Sequence, residues 1–245
     1  DLIILAARPS MGKTAFALNL AINAASVTSG AVAIFSLEMP ADQLAMRMLA
    51  AKSKVSIQNL RSGRLSDNDW SMINESNQEL KRQKLFIDDT PGIRVSDMFA
   101  KCRKLKNDHG LSLVVIDYIQ LIQSTTKAES RQQEVSEISR RLKALARELE
   151  VPVIALSQLS RSVEKREDKR PMLSDLRESG ALEQDADLVL FLYRDEYYSK
   201  QKNETSQRED VEISLAKHRN GPTGVVRLAF EREINCFYGI KNIGE

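Results

Sequence analysis

The sequence predicts an α/β fold: a mostly parallel, twisted sheet flanked by helices, with an antiparallel hairpin at one edge. Three observations carry that expectation. An apolar run of strand length, Leu2 to Ala7, passes through a small-residue turn into a periodic apolar segment from Ala15 to Leu20. Runs typical of buried strands then recur along the chain, alternating with amphipathic segments. Late in the chain, Val211–Lys217 and Val225–Phe230 flank the turn Asn220-Gly221-Pro222-Thr223-Gly224 and read as a hairpin.

The first turn, Arg8-Pro9-Ser10-Met11-Gly12-Lys13-Thr14, stands where a phosphate-binding loop stands, after a strand and before a helix. Backbone N–H groups of Ser10, Met11, Gly12 and Lys13 are expected to curl round a β-phosphate at the electropositive start of the helix, with Ala15 behind them. Lys13 is expected to reach the β/γ oxygens of a nucleotide, and the Thr14 hydroxyl to ligate Mg²⁺. Ala7 replaces the usual first glycine; it keeps a tight turn but restricts φ more than glycine does.

The second strand, Ala31 to Ser36 after Gly30, ends in Leu37-Glu38-Met39-Pro40, with Pro40 at the first turn of a helix through Leu44, Met48 and Leu49. Residues 55–84 are polar and helical in pattern, with Ser66 or Asp67 as N-cap before Trp70 and Ile73. Leu85-Phe86-Ile87-Asp88 is a short third strand closed by Thr90-Pro91-Gly92, and a helix from about Ser96 to Asn107 stops at Gly110. Leu111 to Asp117 is a β-branched run typical of a central parallel strand. After a polar, mobile connection from Gln123 to Ser130, a long helix from Arg131 puts Val135, Ile138, Leu142, Leu145 and Leu149 on one face. The next strand runs from Val151 to Ser157, with Pro152 near its start, and leads into Gln158. Ser160 to Arg170 is a charged loop, Ser174 to Gly180 a capped short helix or turn, Leu188–Tyr193 a buried strand, and Arg194 to Asp210 a polar insertion.

Strand ends carry the candidate chemistry. In a parallel sheet the carboxyl ends share one ligand crevice, which places Asp117 beside the phosphate loop as the second Mg²⁺-associated group. Glu38 is the candidate for orienting and deprotonating an attacking water; its bland alternative is a salt-bridged surface glutamate. Gln158 is placed to sense a γ-phosphate, or else to make only backbone hydrogen bonds. Arg47 adds charge near the γ-phosphate or lies on a helix surface. Lys217-His218-Arg219 closes the first hairpin strand. These cations either complete a neighbouring subunit's site or form a solvated hairpin tip. Arg194 and Phe230 are possible walls for an adenine base, each with an ordinary core or surface reading as well.

Composition sets outer bounds. The 245 residues suit one domain with a large core, and 36 basic against 34 acidic residues announce no bulk nucleic-acid electrostatics. The two cysteines, Cys102 and Cys236, lack metal-ligand spacing and read as reduced thiols. No secretory signal or bilayer-length apolar run occurs, so a soluble chain with no membrane partner is expected.

Six strings together resemble one family, the ATPase domain of DnaB-type bacterial replicative DNA helicases on a RecA-like P-loop NTPase fold. They are Ala6 to Thr14, Phe35-Ser36-Leu37-Glu38-Met39, Val115 to Leu121, Leu156 to Arg161, Asp175 to Gly180, and Lys217-His218-Arg219-Asn220-Gly221. Ala7 in the loop also looks like this family's version of it. The resemblance implies a hexameric ring that threads single-stranded DNA, hydrolyses ATP with Mg²⁺ at subunit interfaces, and meets a helicase loader and primase in the bacterial cytoplasm at the nucleoid. It implies Glu38 as catalytic base, Asp117 as magnesium-associated carboxylate, Gln158 as γ-phosphate sensor, Arg47 as a phosphate-contacting cation, and Lys217 and Arg219 as groups acting in trans. The segment Arg177-Glu178-Ser179-Gly180 resembles the channel-facing DNA loop, with Arg177, Glu178 and Gly180 as the expected contacts. The family's N-terminal domain and linker helix have no counterpart in 1–245, so the chain is read as the motor domain of a larger protein, beginning without an initiator Met. A filament-forming repair ATPase and a non-enzymatic nucleotide switch are the competing readings.

Overall fold

A computed structural model of the protein describes residues 1–123, 130–198 and 208–240, with backbone alone at 177–180. One sheet organises everything described. Its strands are β1 (Leu2–Ala7), β2 (Ala31–Ser36), β3 (Leu85–Asp88), β4 (Leu111–Asp117), β5 (Val153–Gln158), β6 (Leu188–Tyr193), β7 (Glu209–His218), β8 (Gly224–Glu231) and β9 (Cys236–Gly239). They lie in the order β3-β2-β4-β5-β1-β6-β7-β8-β9. From β3 to β6 all neighbours are parallel, and β7, β8 and β9 add on antiparallel. The expected mostly parallel sheet with an antiparallel edge is therefore present.

The central strands read as unbroken apolar runs because both of their faces are covered. Leu2, Ile4 and Ala6 of β1 join a core that also takes residues of α5 (Val95–His109) and α6 (Arg131–Leu149). Leu5 and Ala7 point the other way, into a core shared with α1 (Lys13–Val27) and α2 (Ala41–Ser53). Alternate residues of one strand thus feed two cores. The α6 positions expected to face inward, Val135, Ile138, Leu142, Leu145 and Leu149, are all buried.

Several boundaries differ from the expectation for local reasons. Residues 55–84 form two helices, α3 (Ile57–Ser62) and α4 (Asp67–Arg82), because Gly63 takes a left-handed φ of 70° after the first. Ser66, not Asp67, caps α4, in a reciprocal capping box with Asp69. Pro40 sits one position earlier than expected, as the N-cap of α2. β5 begins at Val153, although the Pro152 carbonyl still accepts from the Val114 N–H at 3.1 Å. The strand β9 is an addition: four residues after a turn at Asn235 are too few to show a period. Ser160 to Arg170 contains a 3-10 turn, Arg161–Lys165. Residues 124–129 of the polar connection and 199–207 of the polar insertion lie outside the described residues. No helix among the described residues is long and apolar enough to cross a membrane.

Candidate active site

The carboxyl ends of β1, β2 and β5 open onto one cleft of about 500 Å³ whose floor is the phosphate loop, and the end of β4 lies behind that loop, in contact with Thr14 and Lys13. Two residues of that loop adopt left-handed backbone, Ser10 (φ 65°) and Gly12 (φ 95°). Glycine is needed at 12 for that φ; a Cβ there would meet the rings of Phe230 and Phe237 at 3.4 Å, at ordinary contact distance, so the constraint is the backbone. Ala7 needs no such freedom. It is still in β1, paired with Gln158, and lies outside the left-handed region, so alanine in place of glycine costs nothing here. α1 starts at Lys13 with no side-chain cap and no acidic residue in its first turn, leaving its N–H groups for an anion.

The loop is held from both sides. Arg8 donates to the Leu159 carbonyl at 2.7 Å and pairs with Glu164 at 2.8 Å. Arg194, almost fully buried, donates to the Ser10 carbonyl at 2.9 Å and pairs with Glu209. Burial first, and then the charge of Arg232, pulls the Arg194 guanidinium down to about 10.

At the centre, the Thr14 hydroxyl donates to Oδ2 of Asp117 at 2.6 Å, while Oδ1 of that buried carboxylate has no hydrogen-bond partner. Burial pushes the Asp117 carboxyl up, opposed by the Thr14 hydrogen bond and by the cations of Lys13 and Arg47. Burial likewise pulls Lys13 below the ordinary lysine range, and Asp117 and Glu38 partly restore it. The Lys13 ammonium lies over the Tyr118 ring, 5.1 Å from its centroid. Arg47 is lowered by burial and then by the neighbouring Arg61, against Asp117 and Glu38. Glu38 is exposed at the cleft, on a turn that Ser36 closes by donating from Oγ to the Met39 carbonyl at 2.6 Å. The Leu37 N–H donates to the Asp117 carbonyl at 2.7 Å, tying the Glu38 turn to the end of β4. Ser10, Gly12, Lys13, Thr14, Ala15, Glu38, Arg47 and Gln158 line the cleft as expected; Met11 instead points into the core.

Crowded cations and a buried, half-satisfied carboxylate make an arrangement that could hold a polyanion together with a small hard cation. Thr14 and Asp117 supply oxygen donors of the right kind. No cluster of three His, Cys, Asp or Glu side chains occurs among the described residues.

A family model for the DnaB-like helicase C-terminal domain matches residues 1–239. The chain belongs to this DnaB-like family. It is 61% identical over 242 residues to the replicative DNA helicase DnaB of Geobacillus stearothermophilus, covering 98% of this chain and 53% of that protein. It is 60% identical to the replicative DNA helicase DnaC of Bacillus subtilis, again covering 98% of this chain and 53% of the relative. The chain thus spans about half the length of the curated relatives it matches. Among solved structures it is similar to the ATPase domain of G40P, with TM-score 0.92 and 44% identity over 98% of this chain and 85% of that one. A DnaB-like replicative helicase, from a structure of its interactions with primase, has TM-score 0.92 and 44% identity over 98% of this chain and 57% of that one. The RecA-like fold follows from these likenesses and from the sheet itself.

Within this DnaB-like chain, Lys217 and Arg219 do not join the cleft. His218 pairs with Leu188 and Leu188 with Ile3, so both cations lie at the amino edge of the sheet, a strand length from the phosphate loop. Lys217 donates to the Glu183 carbonyl at 2.6 Å, and Arg219 contacts Asp187 at 3.3 Å. Burial, and then Arg219, lowers Lys217. Arg177, Glu178 and Gly180 sit at the junction of a 3-10 stretch (Leu173–Ser179) with the short helix α7 (Gly180–Asp185); their side chains lie outside the described part of the structure.

The idea of Arg194 and Phe230 as two walls for adenine is corrected. The guanidinium lies over the Phe230 ring itself, 5.4 Å from its centroid, so the pair forms one wall with Phe237 stacked beyond it. Arg61 and Arg232 also line the cleft, and sequence reasoning missed both. Each is one arginine among 36 basic residues, and no local pattern marks it.

Proposed function

We propose that this chain is the ATP-hydrolysing motor domain of a bacterial replicative DNA helicase, coupling turnover to translocation on single-stranded DNA. The observation that carries the reading is the meeting of Lys13, Thr14, Asp117, Glu38 and Arg47 around one cleft at the sheet's carboxyl ends. The N–H groups at the start of α1 cradle the β-phosphate and Lys13 swings from Tyr118 to the β/γ oxygens. Glu38 takes the proton of a water that attacks the γ-phosphorus in line, and the bond to the β-phosphate oxygen breaks to release ADP. Arg47 offsets charge on the transferring phosphoryl group. Thr14 and Asp117 would hold a magnesium ion, which supplies charge neutralisation on the phosphates when bound.

Lys217 and Arg219 lie too far from their own cleft to act there. Their place at the opposite edge supports a role in a neighbour's site, as a hexameric ring would require. The primase seen with a similar helicase is a proposed partner here too, along with a helicase loader and single-stranded DNA through Arg177, Glu178 and Gly180. The proposed setting is the bacterial cytoplasm at the nucleoid.

The test is ATP turnover against chain concentration, with and without single-stranded DNA, for the chain and for Glu38→Gln. Expected is a specific rate that rises with concentration and again with DNA. The variant should bind nucleotide normally but turn over about 10²- to 10⁴-fold more slowly. Unchanged turnover in Glu38→Gln would remove the assigned base. A rate indifferent to concentration and DNA would remove the trans and translocation parts.

A further inference from the structure

Gln120 has no assigned part in the chemistry above, yet its side chain joins the two strands that carry it. It sits in a 3-10 turn, Ile119–Leu121, three residues after Asp117 and two after Tyr118, the ring under Lys13. Ile119 and Ile122 are buried in the core on either side, so the turn has a fixed base. From that base Gln120 reaches across to β5. Its Nε2 donates to the Ser157 Oγ at 3.0 Å and to the Gln158 carbonyl at 3.3 Å, and its Oε1 accepts from the Gln158 N–H at 3.4 Å. One amide therefore engages both backbone groups of Gln158, whose own side chain is exposed at the cleft. On the other side, the Gln120 backbone carbonyl accepts from the guanidinium of Arg131, the first residue of α6.

We propose that Gln120 is a positioning residue: its amide clamps the Gln158 backbone against the Asp117 turn and so sets where the Gln158 side chain meets the γ-phosphate. The inference rests on the proposed ATP hydrolysis and on Gln158 as its sensor. The physical reason lies in the strand end. Gln158 is the last residue of β5; on the β1 side it is still in register with Ala7, but the β4 ladder ends at Ile116–Ala155, so on that side strand pairing does not hold its backbone and leaves it freer to move. Locking both the N–H and the carbonyl removes that freedom before nucleotide arrives. The turn follows directly on β4, which ends at Asp117, and its Gln120 carbonyl accepts from Arg131, so the clamp is anchored to the start of α6 as well.

The test uses Gln120→Met, which keeps length and loses both hydrogen-bonding groups, alone and combined with Gln158→Ala. Expected for Gln120→Met is a kcat about tenfold lower with KM within about twofold, and no further loss when it is added to Gln158→Ala. Hydrogen exchange at the Gln158 amide, measured without nucleotide, should quicken at least about tenfold while exchange in β1 and β4 is unchanged. A kcat within about twofold of the parent overturns the proposal, as does an undiminished loss in the Gln158→Ala background. Unchanged exchange at Gln158 overturns it also. If the parent chain turns over no ATP, the proposed function falls by itself, and the exchange measurement still decides whether the clamp exists.

Discussion

The hydroxyl of Thr14 and the carboxylate of Asp117 meet at 2.6 Å although 103 residues separate them in the chain. Thr14 stands in the first turn of α1 and Asp117 at the last position of β4. The sheet order carries β4 to one strand from β1, with β5 between, so both reach the same crevice. The bond occupies one carboxylate oxygen and leaves the other buried without a partner. An arrangement with one oxygen held and one spare is suited to accept metal-bound water.

Breaking this pair should weaken the response to magnesium. Asp117→Asn and Thr14→Ala are each expected to raise the Mg²⁺ concentration needed for half-maximal ATP turnover about 10- to 100-fold, while Thr14→Ser stays near the parent. Turnover titrated against Mg²⁺ measures it. An unshifted midpoint in Asp117→Asn would contradict the assignment.

Gly12→Ala should abolish nucleotide binding. Its φ of 95° is strained for alanine, whatever the space around the new Cβ. The loop would relax out of its anion-holding shape, at a stability cost of more than about 1 kcal/mol. Titration of a fluorescent ATP analogue, beside a thermal melt, separates lost binding from lost fold.

Asp187 predicts a pH dependence of stability. It accepts from the Leu2 N–H at 2.8 Å, pairs with Lys143, and contacts Arg219 at 3.3 Å. Burial alone would push this carboxyl up, but Lys143, the Leu2 N–H and Arg219 outweigh it and hold the group below the usual carboxylate range. A folded pKa below the unfolded one stabilises fully at neutral pH. The stabilisation is lost as the pH falls through the folded value, below about 4. Asp187→Asn is therefore expected to cost about 2 kcal/mol at pH 7, with the difference from the parent shrinking at acid pH values below the ordinary carboxylate range. Urea unfolding of both proteins at the two pH values checks this.

Cys102 should be inert while the protein is folded. It is fully buried on α5, and burial, followed by the charge of Asp88, pushes its thiol up to about 12. In a Cys236→Ser background, a thiol reagent at pH 8 is expected to label nothing until denaturant is added. Fast labelling of the native chain would show that α5 opens readily.

Much of the fold was legible because its elements are written locally. The β-branched run before Asp117 can only satisfy a strand buried on two faces, and Gly110 ends a helix where a positive φ is required, whereas the stop at Gly63 was missed. The phosphate loop was legible for the same reason: it is seven residues whose neighbours in sequence are its neighbours in space. Arg61, Arg232 and Gln120 were not legible as site residues. Nothing beside Arg61 and Arg232 marks them, and they reach the cleft through packing of distant elements; Gln120 stands near Asp117 in sequence, but its contact with Ser157 and Gln158 of β5 is set only by strand order. β9 was missed because four residues cannot display a period.

By itself, then, the sequence determined β1 to β8, the longer helices, the phosphate loop and the carboxylates at strand ends, since periodicity and backbone preference act over a few residues. Only the tertiary structure decided which strand ends share a cleft. It alone closed Arg194 onto Phe230 as one wall, and it alone set Lys217 and Arg219 a strand length away from their own phosphate loop. Those relations depend on strand order and on contacts between residues far apart in the chain, and short-range preferences do not encode either.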